Sequence, residues 1–222
     1  STLKNFRISS LNQKISLLKK QSVDFIITKK FNKEFSKTKS IKFINQIICK
    51  KLNPKFIFVS NNFKFGNKRE GNVNQLVQYE SSNNYKIIKP QPLLINKKIV
   101  SSSLIRNFLK NGKLKKVNKF LNRKWSIEGR VQKGRQLGKK IGFPTANIDI
   151  KNYVIAKPGV YVVRALRQNS TKYIRGIANL GYRPTFNGKK ILLEAHLFNF
   201  SGNIYNKVLT VEFLKFIRKE KK

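Results

Sequence analysis

The chain has 222 residues, of which 40% are apolar and 17 are Phe, so it is long enough to bury one large core or two small ones. No apolar run approaches the roughly 18 residues that cross a bilayer. The single cysteine, Cys49, excludes an internal disulfide and suits a reducing compartment, the cytoplasm.

The charge is extreme, with 49 Lys and Arg against 9 Asp and Glu, formally +40. Clustered cations would indicate a nucleic-acid-binding protein, because they displace the counterions of phosphates. The lysines, however, occur in every segment without a periodic stripe, as a composition rich in Lys, Asn and Ile would produce. We therefore expect weak, salt-sensitive binding to polyanions and no specific nucleic acid.

Up to about residue 121, short apolar stretches alternate with segments of helical periodicity. The predicted strands are VDFIIT (23–28), FIFVS (56–60) and YKIIK (85–89). One helix is predicted before the first strand. Another lies between the first two strands, with apolar residues on one face: Ile41, Ile44, Ile47, Ile48 and Leu52. This alternation predicts an α/β domain with a parallel sheet.

Two further helices are predicted in VSSSLIRNFLKNGKLKKVNKFLN. We expect Ser102 or Ser103 to cap the first helix and Gly112 to lie near its end.

The composition of the sequence changes after WSIEG, where glycines become frequent. Short alternating stretches follow, namely SIEGRV, GVYVVRAL, KYIRGIANL, ILLEAHLF and KVLTVEF, separated by turns such as KPG and SGN. This spacing predicts a small all-β barrel. The boundary is expected near Asn122–Trp125, giving domains at 1–122 and 123–222.

The segment GRVQKGRQLGKKIGFPTANI joins glycines, cations and small polar residues. It is not a Walker A loop, because three residues, not four, separate Gly134 from Gly138 and no Ser or Thr follows the lysine. Its backbone N–H groups and cations suit a polyphosphate. Thr145 and Asn147, two residues apart, offer oxygens on one side of a strand, as Mg²⁺ would require. An ordinary barrel hairpin explains the same residues equally well.

Among the nine acids, Glu194 is the candidate general base. The stretch ILLEAHLF alternates, so Leu193, Ala195 and Leu197 face one way and Glu194 and His196 the other. A solvated strand face is the alternative interpretation. His196 is the only histidine and has no other His or Cys near it in the sequence, which argues against zinc.

Taken in order, GRVQKGRQLGKKIGFPTANI, GVYVVRAL, YIRGIANLGYRPTF, LLEAHLF and YNKVLTVEFLKFIRKEKK resemble a bacterial riboflavin kinase domain. The upstream segments VDFIITKKFNKEFSK, FIFVSNNFKFGNKREGNV, PQPLL and VSSSLIR are similar to the FMN adenylyltransferase module that precedes this kinase in bifunctional FAD synthetases. The resemblance covers nearly the entire chain. It implies a Rossmann-like nucleotidyltransferase domain, incomplete in this chain, followed by a Greek-key riboflavin kinase barrel.

The resemblance also implies the roles of individual residues. Thr145 and Asn147 would bind Mg²⁺, and Glu194 would take the proton of the ribityl hydroxyl that attacks the γ-phosphoryl group of ATP. Asn179 and Arg218 would bind the flavin. Nucleotide-binding roles fall on Gly134, Gly138, Lys139, Gly142, Pro144 and Thr145.

In the upstream module, Ser102, Ser103 and Arg106 match a phosphate-binding element of the family, with Ser103 in place of Thr. An ordinary serine helix cap is the alternative. Asn62 replaces the Asp of the family's D-F-x-F-G element. The H-x-G-H element of these nucleotidyltransferases does not occur in the sequence. We therefore expect a fragment that begins inside this module and ends before the last kinase helix.

The resemblance implies riboflavin phosphorylation by MgATP, with riboflavin, FMN and ATP as the partners of the protein and no membrane. An inactive fragment is one alternative. A basic nucleic-acid-binding protein with an OB-like barrel is another, but it needs aromatic side chains among the cations on one barrel face. Here the aromatic residues are expected mostly in the core: Tyr161, Phe198, Phe200, Phe213 and Phe216.

Overall fold

The structure is a computed structural model and describes residues 6–133, 144–150, 152–185 and 188–220. The chain packs into two compact units. One is Phe25–Ile99, and the other joins Ser1–Asp24 to Val100–Lys222. No helix among the described residues is long and apolar enough to cross a membrane.

Helix α1 (Leu11–Lys19) confirms the first predicted helix and begins at a capping box. The Gln13 N–H donates to Ser10 Oγ at 3.1 Å, and the Ser10 N–H donates to Gln13 Oε1 at 2.9 Å. Gln13 Nε2 also donates to Ser126 Oγ at 2.9 Å. The helix is thereby fixed to the chain at residue 126, where the barrel begins.

The unit Phe25–Ile99 contains a two-stranded parallel sheet, in which Phe56 lies opposite Lys86. This pair of strands confirms the predicted stretches 56–60 and 85–89. In chain order the elements of the unit are α2 (Lys33–Ser36), α3 (Ser40–Lys42), a π-helix (Phe43–Leu52), β1 (Phe56–Phe58), β2 (Lys64–Phe65), a 3₁₀ turn (Asn67–Arg69), β3 (Gly71–Asn72), α4 (Val73–Gln78), α5 (Glu80–Asn83), β4 (Lys86–Ile88), β5 (Leu94–Ile95) and β6 (Lys98–Ile99).

The predicted helix between the strands is present, but its apolar face is narrower than expected. Ile44 and Ile48 are buried in a core with Phe65, Leu76 and Tyr85, whereas both ends of the predicted face, Ile41 and Leu52, are exposed. A π-helix has a wider turn than the 3.6 residues assumed by the prediction. Leu52, at the end of the π-helix, is therefore rotated off the face that Ile44 and Ile48 share, whereas Ile41 lies before the π-helix, in α3.

The prediction of a strand at residues 23–28 is wrong. This stretch is irregular, and Phe25 and Ile27 are 87% and 75% exposed. A strand needs a neighbour to satisfy its backbone N–H and C=O groups. Among the described residues, the parallel sheet consists of β1 and β4 alone.

Helices α6 (Ser102–Lys110) and α7 (Leu114–Leu121) precede the barrel. The predicted cap is wrong, because Ser101 caps α6, with its Oγ accepting from the Leu104 N–H at 3.2 Å. A cap residue must have extended backbone, and Ser101 has φ −140° and ψ 152°. Gly112, with φ +69°, follows the C-cap residue Asn111, which confirms the predicted end of the helix.

Six antiparallel strands close the barrel in the spatial order β10–β11–β8–β7–β12–β9. Their bounds are β7 (Ser126–Gln132), β8 (Thr145–Asp149), β9 (Gly159–Arg167), β10 (Tyr173–Thr185), β11 (Gly188–Leu197) and β12 (Val208–Arg218). All the predicted strands of this half are present. Alternate residues fill the interior, among them Ile127, Ile148, Val163, Leu180, Leu193 and Val211.

Trp125 joins the barrel to α7. Its buried ring lies 4.6 Å from that of Phe213, and its backbone N–H donates to Asn118 Oδ1 at 2.8 Å. Asn118 Nδ2 in turn donates to the Phe213 carbonyl at 3.2 Å. Helix α7 therefore packs in the barrel's unit although it precedes residue 123. The division at 122/123 stays a prediction about the two modules along the sequence.

Of the predicted core aromatics, Tyr161 and Phe213 are buried, and Phe200 and Phe216 are half-buried. The expectation for Phe198 is wrong, since its side chain is 45% exposed. It follows the last residue of β11, so the alternation of the strand no longer applies to it.

Candidate active site

The barrel register aligns three polar side chains in a row. Glu194 on β11 lies opposite Asn147 on β8 and opposite Asn179 on β10. Directly opposed residues of antiparallel strands have Cβ atoms about 5 Å apart and point to the same face. The sequence predicted a role for all three residues, and the register brings them together.

This row lies on the outer face of the barrel. The neighbours of Glu194 along β11, Leu193 and Ala195, are fully buried in the interior, and strand side chains alternate between faces. Glu194 is 26% exposed and Asn147 only 9%. The row is thus recessed rather than freely solvated.

One step along the same face, His196 lies opposite Thr145. The imidazole Nδ1 is 3.0 Å from the Pro144 carbonyl oxygen, and the ring packs edge-on against Phe198 at 5.6 Å. Thr145 and Asn147 on β8 therefore lie beside His196 and Glu194 on β11, respectively. Both lie in β8, two residues apart, as the sequence predicted.

Arg183 connects two carboxylates beside the row. Its Nη2 and Nε donate to Glu194 Oε2 at 2.5 and 3.2 Å, and its Nη1 donates to Glu220 Oε1 at 2.5 Å. The pKa of Arg183 is raised, first by the hydrogen bond to Glu194, against the lowering by burial, and further by Glu220. The guanidinium therefore stays charged at any pH that the fold survives.

Asn179 completes this group. Its Nδ2 donates to Glu220 Oε1 at 2.8 Å, while its buried Oδ1 accepts no hydrogen bond from the part of the chain that the structure describes. Burial by itself would raise the pKa of Glu220, but the bonds from Arg183 and Asn179 outweigh it, so this pKa lies below its ordinary value. A buried acceptor without a donor is costly and is typical of a place where a ligand binds.

Arg218 is separated from Asn179 by one strand, because both are paired with Val160 of β9. Its Nη1 donates to the Lys219 carbonyl at 3.1 Å, and its side chain is exposed. Gly159 allows β12 to approach, since a Cβ at this position would lie 2.3 Å from the Arg218 carbonyl oxygen. Arg218 thus belongs to the same face as Asn179, and among the described residues it makes no hydrogen bond to the row.

A cavity of about 380 Å³ opens at the end of β8 where Pro144 and Thr145 lie. The cavity is lined mostly by apolar groups, from barrel strands and from the segment that follows β11. The lining residues are Val131, Pro144, Thr145, Ala146, Ala195, Leu197, Phe200, Ser201, Gly202, Asn203, Ile204 and Tyr205. Four residues predicted to bind nucleotide, Gly134, Gly138, Lys139 and Gly142, lie outside the described residues.

The residues predicted for the adenylyltransferase lie on α6. Ser102 and Ser103 are exposed in its first turn. Arg106 Nε donates to the Phe6 carbonyl at 2.8 Å. The helix is capped by Ser101 Oγ, which accepts from the Leu104 N–H, so the hydroxyls of Ser102 and Ser103 are not used for capping.

Sequence reasoning missed Arg183 and did not single out Glu220. The available signal was alternation, since Asn179, Gly181 and Arg183 occupy every second position of β10 and share a face. Gly181 leaves room for Glu220, because a Cβ there would lie 2.5 Å from Glu220 Oε2. Only the barrel closure brings residue 220 to this strand.

Two family models match the chain: FAD synthetase over residues 1–104 and Riboflavin kinase over residues 121–222. The chain is 40% identical over 217 residues to the bifunctional riboflavin kinase/FMN adenylyltransferase of Buchnera aphidicola subsp. Schizaphis graminum. It is 39% identical to that of Haemophilus influenzae and 32% identical to that of Escherichia coli K12. These matches cover 96%, 96% and 97% of the chain and 69% of each relative.

Among solved structures, one described as a macrolide-efflux protein from Streptococcus pneumoniae superposes with a TM-score of 0.82 at 27% identity. The match covers 97% of this chain and 69% of that one. Both modules therefore occur together in a known fold.

Proposed function

Because the chain belongs to the family of bifunctional riboflavin kinase/FMN adenylyltransferases, we propose that its barrel transfers the γ-phosphoryl group of ATP to the 5′-hydroxyl of riboflavin, giving FMN. The observation that carries this proposal is the row formed by Asn147, Glu194 and Asn179. In this row the Glu194 carboxylate lies between two amides. The Asn147 amide suits a metal-bound phosphate, and the Asn179 amide has an acceptor oxygen without a donor among the described residues.

Thr145 and Asn147 fit a magnesium ion. A hydroxyl and an amide oxygen on one side of β8 are hard, neutral ligands, and Mg²⁺ takes few protein ligands beside phosphate and water. The described residues contain no cluster of three or more His, Cys, Asp or Glu that would favour another metal. Bound there, Mg²⁺ supplies positive charge to the phosphate oxygens.

Glu194 accepts the proton of the attacking hydroxyl. A bond forms between the riboflavin 5′-oxygen and the γ-phosphorus, the bond to the bridging β,γ-oxygen breaks, and ADP leaves. Phosphoryl transfer depends mainly on positioning and charge neutralisation, so an oriented carboxylate suffices. The 26% exposure of Glu194 allows the proton to pass to water afterwards.

Asn179 and Arg218 are proposed to hold the flavin. The Asn179 Oδ1 acceptor has no donor among the described residues, and riboflavin offers a ring N–H and ribityl hydroxyls. The exposed guanidinium of Arg218 lies on the same face, separated from Asn179 by strand β9. The flavin would thus lie on the side of Glu194 opposite Asn147.

The 380 Å³ cavity is proposed to take the base of the nucleotide. Its size is within the range of about 300–1,000 Å³ usual for ligand pockets, and its apolar lining suits an aromatic base. Pro144 and Thr145 are among the residues that line it, so the triphosphate would extend from it along β8 toward Asn147. The glycine-rich segment with Gly134, Gly138, Lys139 and Gly142 directly precedes these two residues in the sequence.

Adenylylation of FMN is the second activity of the family. We propose Ser102, Ser103 and Arg106 as its phosphate site, in the module of residues 1–122, which requires Arg106 to release the Phe6 carbonyl. The cytoplasm is the compartment we propose, since Cys49 is the only cysteine. The proposed partners are small molecules, with no specific nucleic acid.

The test is chromatography of riboflavin incubated with the 222-residue chain, ATP and Mg²⁺. We expect a product that coelutes with FMN and requires both ATP and the metal. Omission of ATP and addition of a chelator are the matched controls. Unchanged riboflavin in the complete mixture would contradict the proposal.

A further inference from the structure

We propose that Arg183 is a positioning residue for phosphoryl transfer: it holds the Glu194 carboxylate by one oxygen and thereby directs the other oxygen toward the attacking hydroxyl. Glu220 and Asn179 hold Arg183 in place. This inference rests on the proposed kinase function and assigns to it two residues, Arg183 and Glu220, that the resemblance did not supply.

The contact between Arg183 and Glu194 is asymmetric. Both Arg183 nitrogens that reach Glu194 donate to Oε2. Among the described residues, Glu194 Oε1 accepts no hydrogen bond. One oxygen is therefore occupied by a planar, permanently charged donor, and the other is left to accept a proton.

A second ion pair on the same barrel provides the comparison. Arg164 Nε donates to Glu212 Oε2 at 2.6 Å, and the Tyr173 hydroxyl donates to Glu212 Oε1 at 2.9 Å. Both oxygens of Glu212 are thus occupied. The two pairs have similar lengths and exposure, so ion pairing alone does not explain the vacant oxygen of Glu194.

Arg183 is itself held by a second carboxylate. Its Nη1 donates to Glu220 Oε1, which also accepts from Asn179 Nδ2. The absence of a Cβ at Gly181 gives the Glu220 carboxylate its place between them. An isolated surface ion pair contributes little, whereas a linked chain of four side chains restricts the orientation of the Glu194 carboxylate at its end.

Orientation is what this reaction needs. A displacement of about 1 Å in a reacting group can cost roughly 100-fold in rate. A carboxylate that is free to rotate would present its oxygens to the substrate only part of the time. Arg183 is therefore expected to act on turnover rather than on substrate affinity.

The experiment measures kcat and the two KM values for FMN formation by the unaltered chain, Arg183→Gln and Arg164→Gln. We expect Arg183→Gln to lower kcat roughly 10- to 100-fold, with both KM values within about threefold. The matched control, Arg164→Gln, removes the other ion pair and should keep kcat within about twofold. Arg183→Lys keeps the charge but has a single donor nitrogen in place of the three that Arg183 uses, so it should recover part of the lost kcat.

A double variant separates positioning from a direct effect on ATP. If Arg183 acts through Glu194, adding Arg183→Gln to Glu194→Gln should lower kcat by less than about threefold more, because residues that act as a unit are not additive. Multiplicative losses, or a large rise in the KM for MgATP alone, would overturn the proposal. Should Arg183→Gln fail to fold, Arg183→Lys with kcat equal to that of the unaltered chain would also overturn it.

The same assay separates the two levels of inference. Absence of FMN formation by the unaltered chain would overturn the proposed function and this inference with it. Normal turnover by Arg183→Gln in a chain that makes FMN would overturn this inference alone.

Discussion

Glu194 and Asn147 face each other across the antiparallel pairing of β11 with β8, forty-seven positions apart in sequence. The pairing puts the only carboxylate of the row next to the amide proposed to bind the metal. A hydroxyl that approaches Glu194 therefore also approaches the phosphate that Asn147 would hold.

Glu194→Gln should keep the fold and riboflavin affinity, because the change is nearly isosteric. It removes the proton acceptor, so turnover should fall by roughly 10² to 10⁴. His196→Gln is the matched control, since it alters the same face of the same strand, and its effect should be much milder. Steady-state rates of FMN formation decide the matter, and full activity of Glu194→Gln would refute the assignment.

Asn147→Ala should weaken the use of MgATP far more than the binding of riboflavin. It removes one oxygen ligand and leaves Asn179 and Arg218 unchanged. Kinetics with varied MgATP, together with a titration of flavin fluorescence, measure the two effects. Equal losses in both would count against a metal role for Asn147.

Glu220 should contribute to the acid stability of the barrel. Its pKa in the folded chain is lowered, so its contribution is present above the ordinary pKa of the carboxyl and is lost as the pH falls through the folded value. Because the side chain is 36% exposed, we expect less than about 1 kcal/mol.

The measurement for Glu220 is urea unfolding followed by the fluorescence of buried Trp125, the only tryptophan. The unaltered chain should be more stable than Glu220→Gln at pH 7, and the difference should vanish well below pH 4. A difference that is the same at both pH values would show that the lowered pKa does not stabilise the fold.

The 222-residue chain should make FMN but little or no FAD. Its only histidine, His196, lies in the barrel, so this sequence lacks the H-x-G-H element of the nucleotidyltransferases. In addition, Arg106, proposed to bind phosphate, donates to the Phe6 carbonyl instead. Incubation of FMN with ATP and Mg²⁺, followed by chromatography, tests this expectation. Robust conversion of FMN to FAD would contradict it.

The net charge of +40 should produce weak DNA binding without sequence preference. Such binding arises from counterion release, so it should fade steeply between low and physiological salt. Fluorescence anisotropy with two unrelated duplexes at several salt concentrations measures it. A tight complex with one duplex at physiological salt would favour the nucleic-acid hypothesis instead.

The sequence alone determined most of the barrel and part of its site. Alternation of apolar and polar residues predicts a strand wherever one face is buried, because side chains of a strand point alternately to two sides. The same rule set Glu194 and His196 on the face opposite Leu193 and Ala195, as the structure has them. The grouping of Thr145 with Asn147 followed from their separation by two positions.

Local patterns were insufficient where a neighbour or a backbone angle decides the outcome. The apolar run 23–28 is no strand because strand formation requires a paired neighbour. Ser101, and not Ser102 or Ser103, caps α6 because the cap is fixed by extended backbone at that residue. The wide turn of the π-helix likewise removed Leu52 from the predicted apolar face.

Only the tertiary structure decided which polar residues meet. Register between strands depends on the turns and on barrel closure, and neither can be read from the alternation within one strand. It brings Asn147 and Asn179 to the two sides of Glu194, and it brings Glu220 to Arg183 across 37 positions of sequence. Charge attraction acts through space, so the partner that fixes the orientation of Glu194 became visible only once the barrel was closed.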